Sequence, residues 1–180
     1  MIDIDFGLQP ADLAVRLDRL WQLAGEKILS IRDTLPADAG APVFTVQGKY
    51  TAQGWTEWTQ GFQFGASILQ FDATGDLEFL AIGRDTTRDR MASHVSHTGV
   101  HDHGFNNVST YGNLRRLMLE NRFPYDQNEL KTYELALKIS GAVQASRWST
   151  TSDGYGYIYS FNGPHSLFCD TIRSLRSLAQ

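Results

Sequence analysis

Phe62-Gln63-Phe64-Gly65-Ala66-Ser67-Ile68-Leu69-Gln70-Phe71, followed by Asp72-Ala73-Thr74-Gly75-Asp76-Leu77, is the stretch on which the reading of the fold turns. The apolar run from Phe62 to Phe71 reads as a helix that stops at the Thr74-Gly75-Asp76 turn. Asp76 then occupies an N-cap position, where a carboxylate accepts from the open amides of a following helix. That helix is expected from Leu77 to about Met91. Helix, tight turn, helix is the repeating unit.

Working outward, the segment from Ala11 to Asp33 places Leu13, Leu17, Leu20, Trp21, Ala24, Ile28 and Ile31 at three- and four-residue steps. This is the pattern of an amphipathic helix, with Pro10 suited to its entrance. Thr34 to Thr59 reads as a loop punctuated by Pro36, Gly40, Pro42, Gly48 and Gly54. Beyond the quoted stretch, His94 to His103 is a polar loop. A fourth helix is expected from Phe105 to Leu119, with Pro124 closing the connection behind it. A fifth runs from Glu129 to Ser146 with Leu130, Tyr133, Leu137 and Val143. Trp148 to Pro164, rich in Ser, Thr, Gly and Tyr, is a loop with room for a short hairpin. A sixth helix begins near Ser166, with Phe168, Thr171, Ile172, Leu175 and Leu178 on one face.

No strand pattern competes, so the expected class is all-α, one helical domain over residues 1–180. Short turns alternate with long loops. The long ones, before helices two, four and six, are expected on one rim. They carry Trp55 and Trp58, a histidine cluster with Asp102, and the Tyr-rich approach to Asp170. Functional residues tend to sit on such loops, held by a rigid scaffold.

At 180 residues the chain has length enough for a real core. A net charge of −4 gives no support to a nucleic-acid partner, because phosphate binding needs a basic surface. The single cysteine, Cys169, excludes an intramolecular disulfide and is expected to be a small buried residue in a reducing compartment. No apolar stretch approaches the length of a membrane span. Met1 to Pro10 lacks the basic-then-apolar order of a signal peptide. A cytoplasmic protein is the expectation.

Three segments carry a resemblance. The first is Trp58-Thr59-Gln60-Gly61-Phe62 with Gly65 and the later Thr74-Gly75-Asp76. The second is His101-Asp102-His103-Gly104-Phe105, and the third Asp170-Thr171-Ile172-Arg173-Ser174-Leu175. In this order and spacing they resemble the W-T-x-G-F-x-x-G, T-G-D, H-D-x-G-F and D-T-M-x-x-L motifs of the unsaturated glucuronyl hydrolase family, from about Gly25 to the end of the chain. The resemblance implies an (α/α) six-hairpin toroid, of which this chain supplies about half. A later family motif of tryptophan, arginine, glycine and glutamine, which helps bind the substrate's carboxylate, is not in the chain. The expectation is an excerpt of a longer protein, with the remaining half of the toroid supplied by the same or a second chain.

The implied substrate is an oligosaccharide ending in a uronic acid with a C4–C5 double bond, and no cofactor is implied. Such an enol ether is basic at carbon, so a carboxyl group can protonate C4 and then help water add at C5. By resemblance Asp170 is the acid and base, and Asp102 its partner in positioning and electrostatics. Trp58, Trp55, Phe105 and Tyr159 are candidates for stacking on sugar rings, and His101 for hydrogen bonding beside them. The negative net charge means that an anionic sugar must meet local cations.

Two other readings stay open. His94, His97, His101 and His103 fall within ten residues, a density found in metal sites, which allows a metal-dependent hydrolase. The same scaffold also allows a non-catalytic sugar-binding module. Plain structural roles compete as well. Asp102 and Asp170 can favour the positive ends of helices, Phe62 can be core, and Gly61, Gly65 and Gly104 can permit close packing.

Overall fold

Helix dominates the computed structural model, which describes residues 5–36, 38–54, 58–160 and 163–179. A 3-10 turn at Pro10–Leu13 leads into α1 (Ala14–Thr34). A hairpin follows, β1 (Ala41–Val46) and β2 (Lys49–Gln53), then α2 (Thr59–Thr74), α3 (Leu77–Arg90) and a short α4 (Ala92–Val95). A π-helix, Gly104–Gly112, runs directly into α5 (Asn113–Leu119). Next come α6 (Gln127–Ser146), a small hairpin of β3 (Trp148–Thr150) and β4 (Gly156–Ile158), and α7 (Thr171–Ala179).

The quoted hairpin forms as its sequence dictates. Gly75 closes α2 with φ of 75°, a left-handed conformation that glycine reaches without a Cβ penalty. The Asp76 carboxylate accepts from the Glu78 amide at 2.9 Å and opens α3. Asp126 does the same for α6, accepting from Asn128 and Glu129. Phe64, Ile68 and Phe71 of α2 meet Phe79 and Leu80 of α3, Leu114, Leu117 and Met118 of α5, and Tyr133, Ala136 and Leu137 of α6. These residues recur at three- and four-residue steps, so each helix turns one stripe to a shared core.

Four expectations need correction. The segment from Thr34 to Thr59 holds a β-hairpin, with Val46 opposite Lys49 and Phe44 opposite Thr51. Its two-residue turn, Gln47 and Gly48, has positive φ at both positions, the turn that matches strand twist. The helix expected from Ser166 starts only at Thr171. Before that, the Ser160 amide donates to the Ser166 carbonyl and the Ser166 amide to that of Gly163, which ties the segment to the end of β4. Of the face expected on α7, only Thr171 is buried; Ser174 and Ser177 join it inside, while Phe168, Ile172, Leu175 and Leu178 are exposed. On α1, Leu17, Leu20 and Leu23 stand in solvent likewise. The hairpin expected within Trp148–Pro164 is present as β3 and β4.

The fourth helix begins as a π-helix, and side chains of its second half and of α5 bond back to its carbonyls. Thr110 Oγ donates to the Asn106 carbonyl at 2.7 Å, and Asn113 Nδ2 to that of Ser109 at 3.0 Å. This wider helix is packed between α2 and α7 at backbone distance. A Cβ on Gly61 would strike the backbone of Phe105 and Asn106, and one on Gly104 would strike that of Arg173 and Ser174. Gly61, Gly65 and Gly104 are therefore packing residues.

Gly61→Ala should lower stability by about 2 kcal/mol, since neither backbone can retreat far, while Gly54→Ala, with open space around the site, should change it by less than about 0.5 kcal/mol. Urea unfolding of the two variants checks the contrast.

Candidate active site

The three long connections meet where the N-terminal ends of α2, the π-helix and α7 pack together. Trp58 caps α2, residues 101–103 precede the π-helix, and Asp170 stands immediately before α7. His101 is the centre, 2% exposed. Its Nε2 lies 3.2 Å from Asp170 Oδ1 and 3.6 Å from Asp102 Oδ1. The donor atoms of His101, Asp102 and Asp170 all fall within 4.8 Å of one another. One imidazole thus gathers two carboxyl groups from segments far apart in the chain.

Their exposures differ. The Asp170 side chain is 43% exposed and that of Asp102 is 10%. Asp170 can meet a ligand directly, whereas Asp102 acts from behind. The Phe168 ring stacks on His101, with centroids 6.1 Å apart and planes 25° from parallel. Ser174 Oγ donates to the His101 carbonyl and accepts from the Gly104 amide at 3.2 Å. The third motif therefore supplies the Asp170 carboxyl beside His101 and also the Ser174 hydroxyl that pins the turn carrying it.

The aromatic candidates divide. Trp58 is 47% exposed and meets Phe62 edge-on at 5.7 Å and Phe105 at 6.1 Å. Phe105 is buried, so Trp58 is the member of this cluster that offers a free face. The Tyr159 ring, half-buried, is covered on one side by the Arg147 guanidinium, 4.5 Å from its centroid. Trp55 lies outside the described residues. Cys169 is exposed, against the expectation of a buried residue. A groove of about 720 Å³ between α1, α2 and the β1–β2 hairpin includes Trp58 and Phe62 among mostly apolar walls, and it holds none of His101, Asp102 and Asp170.

Arg147 escapes sequence reading, since an arginine at a helix end looks like an ordinary partner of the dipole. It is 3% exposed. Its guanidinium donates to the carbonyls of Thr98 at 2.6 Å, Tyr159 at 3.1 Å and Ser160 at 2.7 Å. It thereby fastens the loop before His101 to the end of β4. Burial pulls its pKa down, and the charges of Tyr159 and Asp102 oppose that pull.

The alternative of a metal held by four histidines is not supported by their geometry. His94 Nε2 donates to Gln60 Oε1 at 2.6 Å, and His103 Nε2 to the His97 carbonyl at 2.6 Å. His103 Nδ1 accepts from Ser140 Oγ at 2.9 Å. Two of the four rings are thus committed to buried structural bonds. Among the described residues, the donors that converge closely enough to share an ion are those of His101, Asp102 and Asp170. Compared with protein-family models, with curated proteins and with solved structures, the chain matches none.

Burial pushes the His94 imidazole down to about 4, and pushes that of His103 down as well. In the unfolded chain a histidine takes up its proton near 6.5. Between those values the unfolded state binds more protons, so stability falls as pH falls. From His94 alone the loss between pH 7 and pH 5 should be about 2 kcal/mol. Urea midpoints at the two pH values check this, and His94→Gln should show a clearly smaller difference.

Proposed function

We propose that the chain is the site-bearing part of a glycoside hydrolase that releases the unsaturated uronic acid from lyase-generated oligosaccharides. The observation that carries the reading is the pairing of Asp102 and Asp170 on His101, beside a half-exposed Trp58. Two carboxyls in unlike surroundings suit a reaction that needs one proton donor and one fixed negative charge.

The chemistry follows from the substrate class. Asp170, the accessible member, delivers its proton to C4 of the enol ether. Positive charge then develops over C5 and the ring oxygen, and the Asp102 carboxylate stabilises it from the buried side. The Asp170 carboxylate takes a proton from water as the oxygen bonds to C5. The resulting hemiketal opens, the bond to the neighbouring sugar breaks, and the acid is restored to its starting state. His101 holds the two carboxyls in register through the cycle. Trp58 supplies a flat apolar face for the sugar's C–H bonds.

The architecture proposed is about half of an (α/α) six-hairpin toroid, completed by further helices from the same or a second chain. The outward apolar faces of the first and last helices, Leu17, Leu20 and Leu23 on α1 and Ile172, Leu175 and Leu178 on α7, support it. Among the described residues no helix is long and apolar enough to cross a membrane, and a cytoplasmic location is proposed.

Adding an unsaturated uronyl disaccharide to the full-length protein should abolish the alkene's ultraviolet absorbance and release the neighbouring sugar. Asp170→Asn should lower kcat about a thousandfold, and Asp102→Asn should lower it with little change in folding. Unchanged absorbance with folded wild-type protein, or full activity in Asp170→Asn, would reject the reading.

A further inference from the structure

The proposed substrate is an anion, and a carboxyl pair repels it, so a positive group has to face the same ligand. Two guanidiniums bear on the site. Arg147 is buried and donates to three backbone carbonyls. Arg173 is exposed, in the first turn of α7, three residues beyond Asp170. Its guanidinium carbon lies 4.9 Å from the Phe105 ring centroid and 5.2 Å from that of Phe62. Those are the rings on which Trp58 rests.

Residues three apart on a helix are neighbours, and an Asp and an Arg so placed ordinarily pair. Here Asp170 lies against His101 instead, and Arg173 makes no ion pair with a carboxylate among the described residues. A guanidinium laid on aromatic faces keeps its N–H groups in its own plane, and that fork fits two oxygens of one anion. The weak hydration of the group also makes the exchange of water for a ligand oxyanion inexpensive.

We infer that Arg173 reads the anionic group of the sugar substrate, accepting a carboxylate or sulfate on a ring that stacks against Trp58. The inference rests on the hydrolase reading for the identity of the ligand, and it makes Arg173 a specificity residue. The plain competitor is an arginine whose stem and plane simply cover Phe62 and Phe105. That role is blind to the charge of the ligand.

The test is binding, followed by tryptophan fluorescence in the full-length protein. The ligands are a saturated uronic-acid disaccharide, which has no alkene to protonate, its methyl ester, and a sulfated form of the acid. Wild type should bind the acid about tenfold more tightly than the ester. Arg173→Gln should bring that ratio close to one while leaving the ester's Kd unchanged, and Arg173→Lys should keep part of it. If Arg173→Gln removes only the added affinity of the sulfated ligand, sulfate is the group that is read. No preference for acid over ester together with no gain from sulfate in wild type overturns the inference without any variant. So does a ratio, and a sulfate increment, that survive in Arg173→Gln. Turnover of the unsaturated disaccharide is measured separately. Turnover with a charge-blind Arg173 keeps the hydrolase and discards this residue. Charge-dependent binding without turnover keeps the residue and discards the hydrolase.

Discussion

Backbone contact along the π-helix is the constraint on which the rest depends. Gly61 lets α2 approach from one side, and Gly104 lets α7 approach from the other. The contact is polar as well as steric: the Gly61 amide donates to Asn106 Oδ1 at 2.9 Å, and Ser174 bridges the His101 carbonyl and the Gly104 amide. Buried backbone groups need partners, and side chains from neighbouring helices provide them here. Because three N-terminal ends are drawn to one place, their partial positive charges lie near the two carboxyl groups. The aspartates are thus near one another as a result of how the helices pack.

Much of the helical framework was legible from residues alone. Gly75 and Asp76 announce a stop and a start, and the apolar steps of α2 and α6 match the stripes that face the core. The motif glycines were also readable as packing positions. What stayed hidden has physical reasons. Ala41–Val46 and Lys49–Gln53 form a hairpin whose turn signal is a single glycine after Gln47, and prolines at 36 and 42 made the whole segment look like loop. The departure from α to π geometry over Gly104–Gly112 leaves no mark in the apolar spacing from which that helix was read.

The candidate site was legible in its members more than in their roles. His101, Asp102 and Asp170 converge as the motifs suggest, and Trp58 is exposed nearby. Tyr159 and Phe105 were candidates for stacking beside Trp58, which had the best motif support, and one carries Arg147 on its face while the other is buried. Composition cannot separate an aromatic that stacks on a ligand from one that stacks on a cation. The histidines mislead for a similar reason. Nearness along a loop says nothing about where each ring points, and His94 and His103 point to Gln60 and Ser140.

The inverted amphipathicity of α7 has a dynamic consequence. Its inner face holds Thr171, Ser174 and Ser177, which bury little apolar surface, so α7 is anchored by close fit against Gly104 and Gly141 and by the hydrogen bonds of Ser174. Elements with few buried apolar contacts belong to the low-energy end of local opening. Fraying of α7 carries Asp170 away from His101 while Asp102 stays. The meeting of the two aspartates on His101 is then coupled to the order of one short helix, whose outer side is the apolar one.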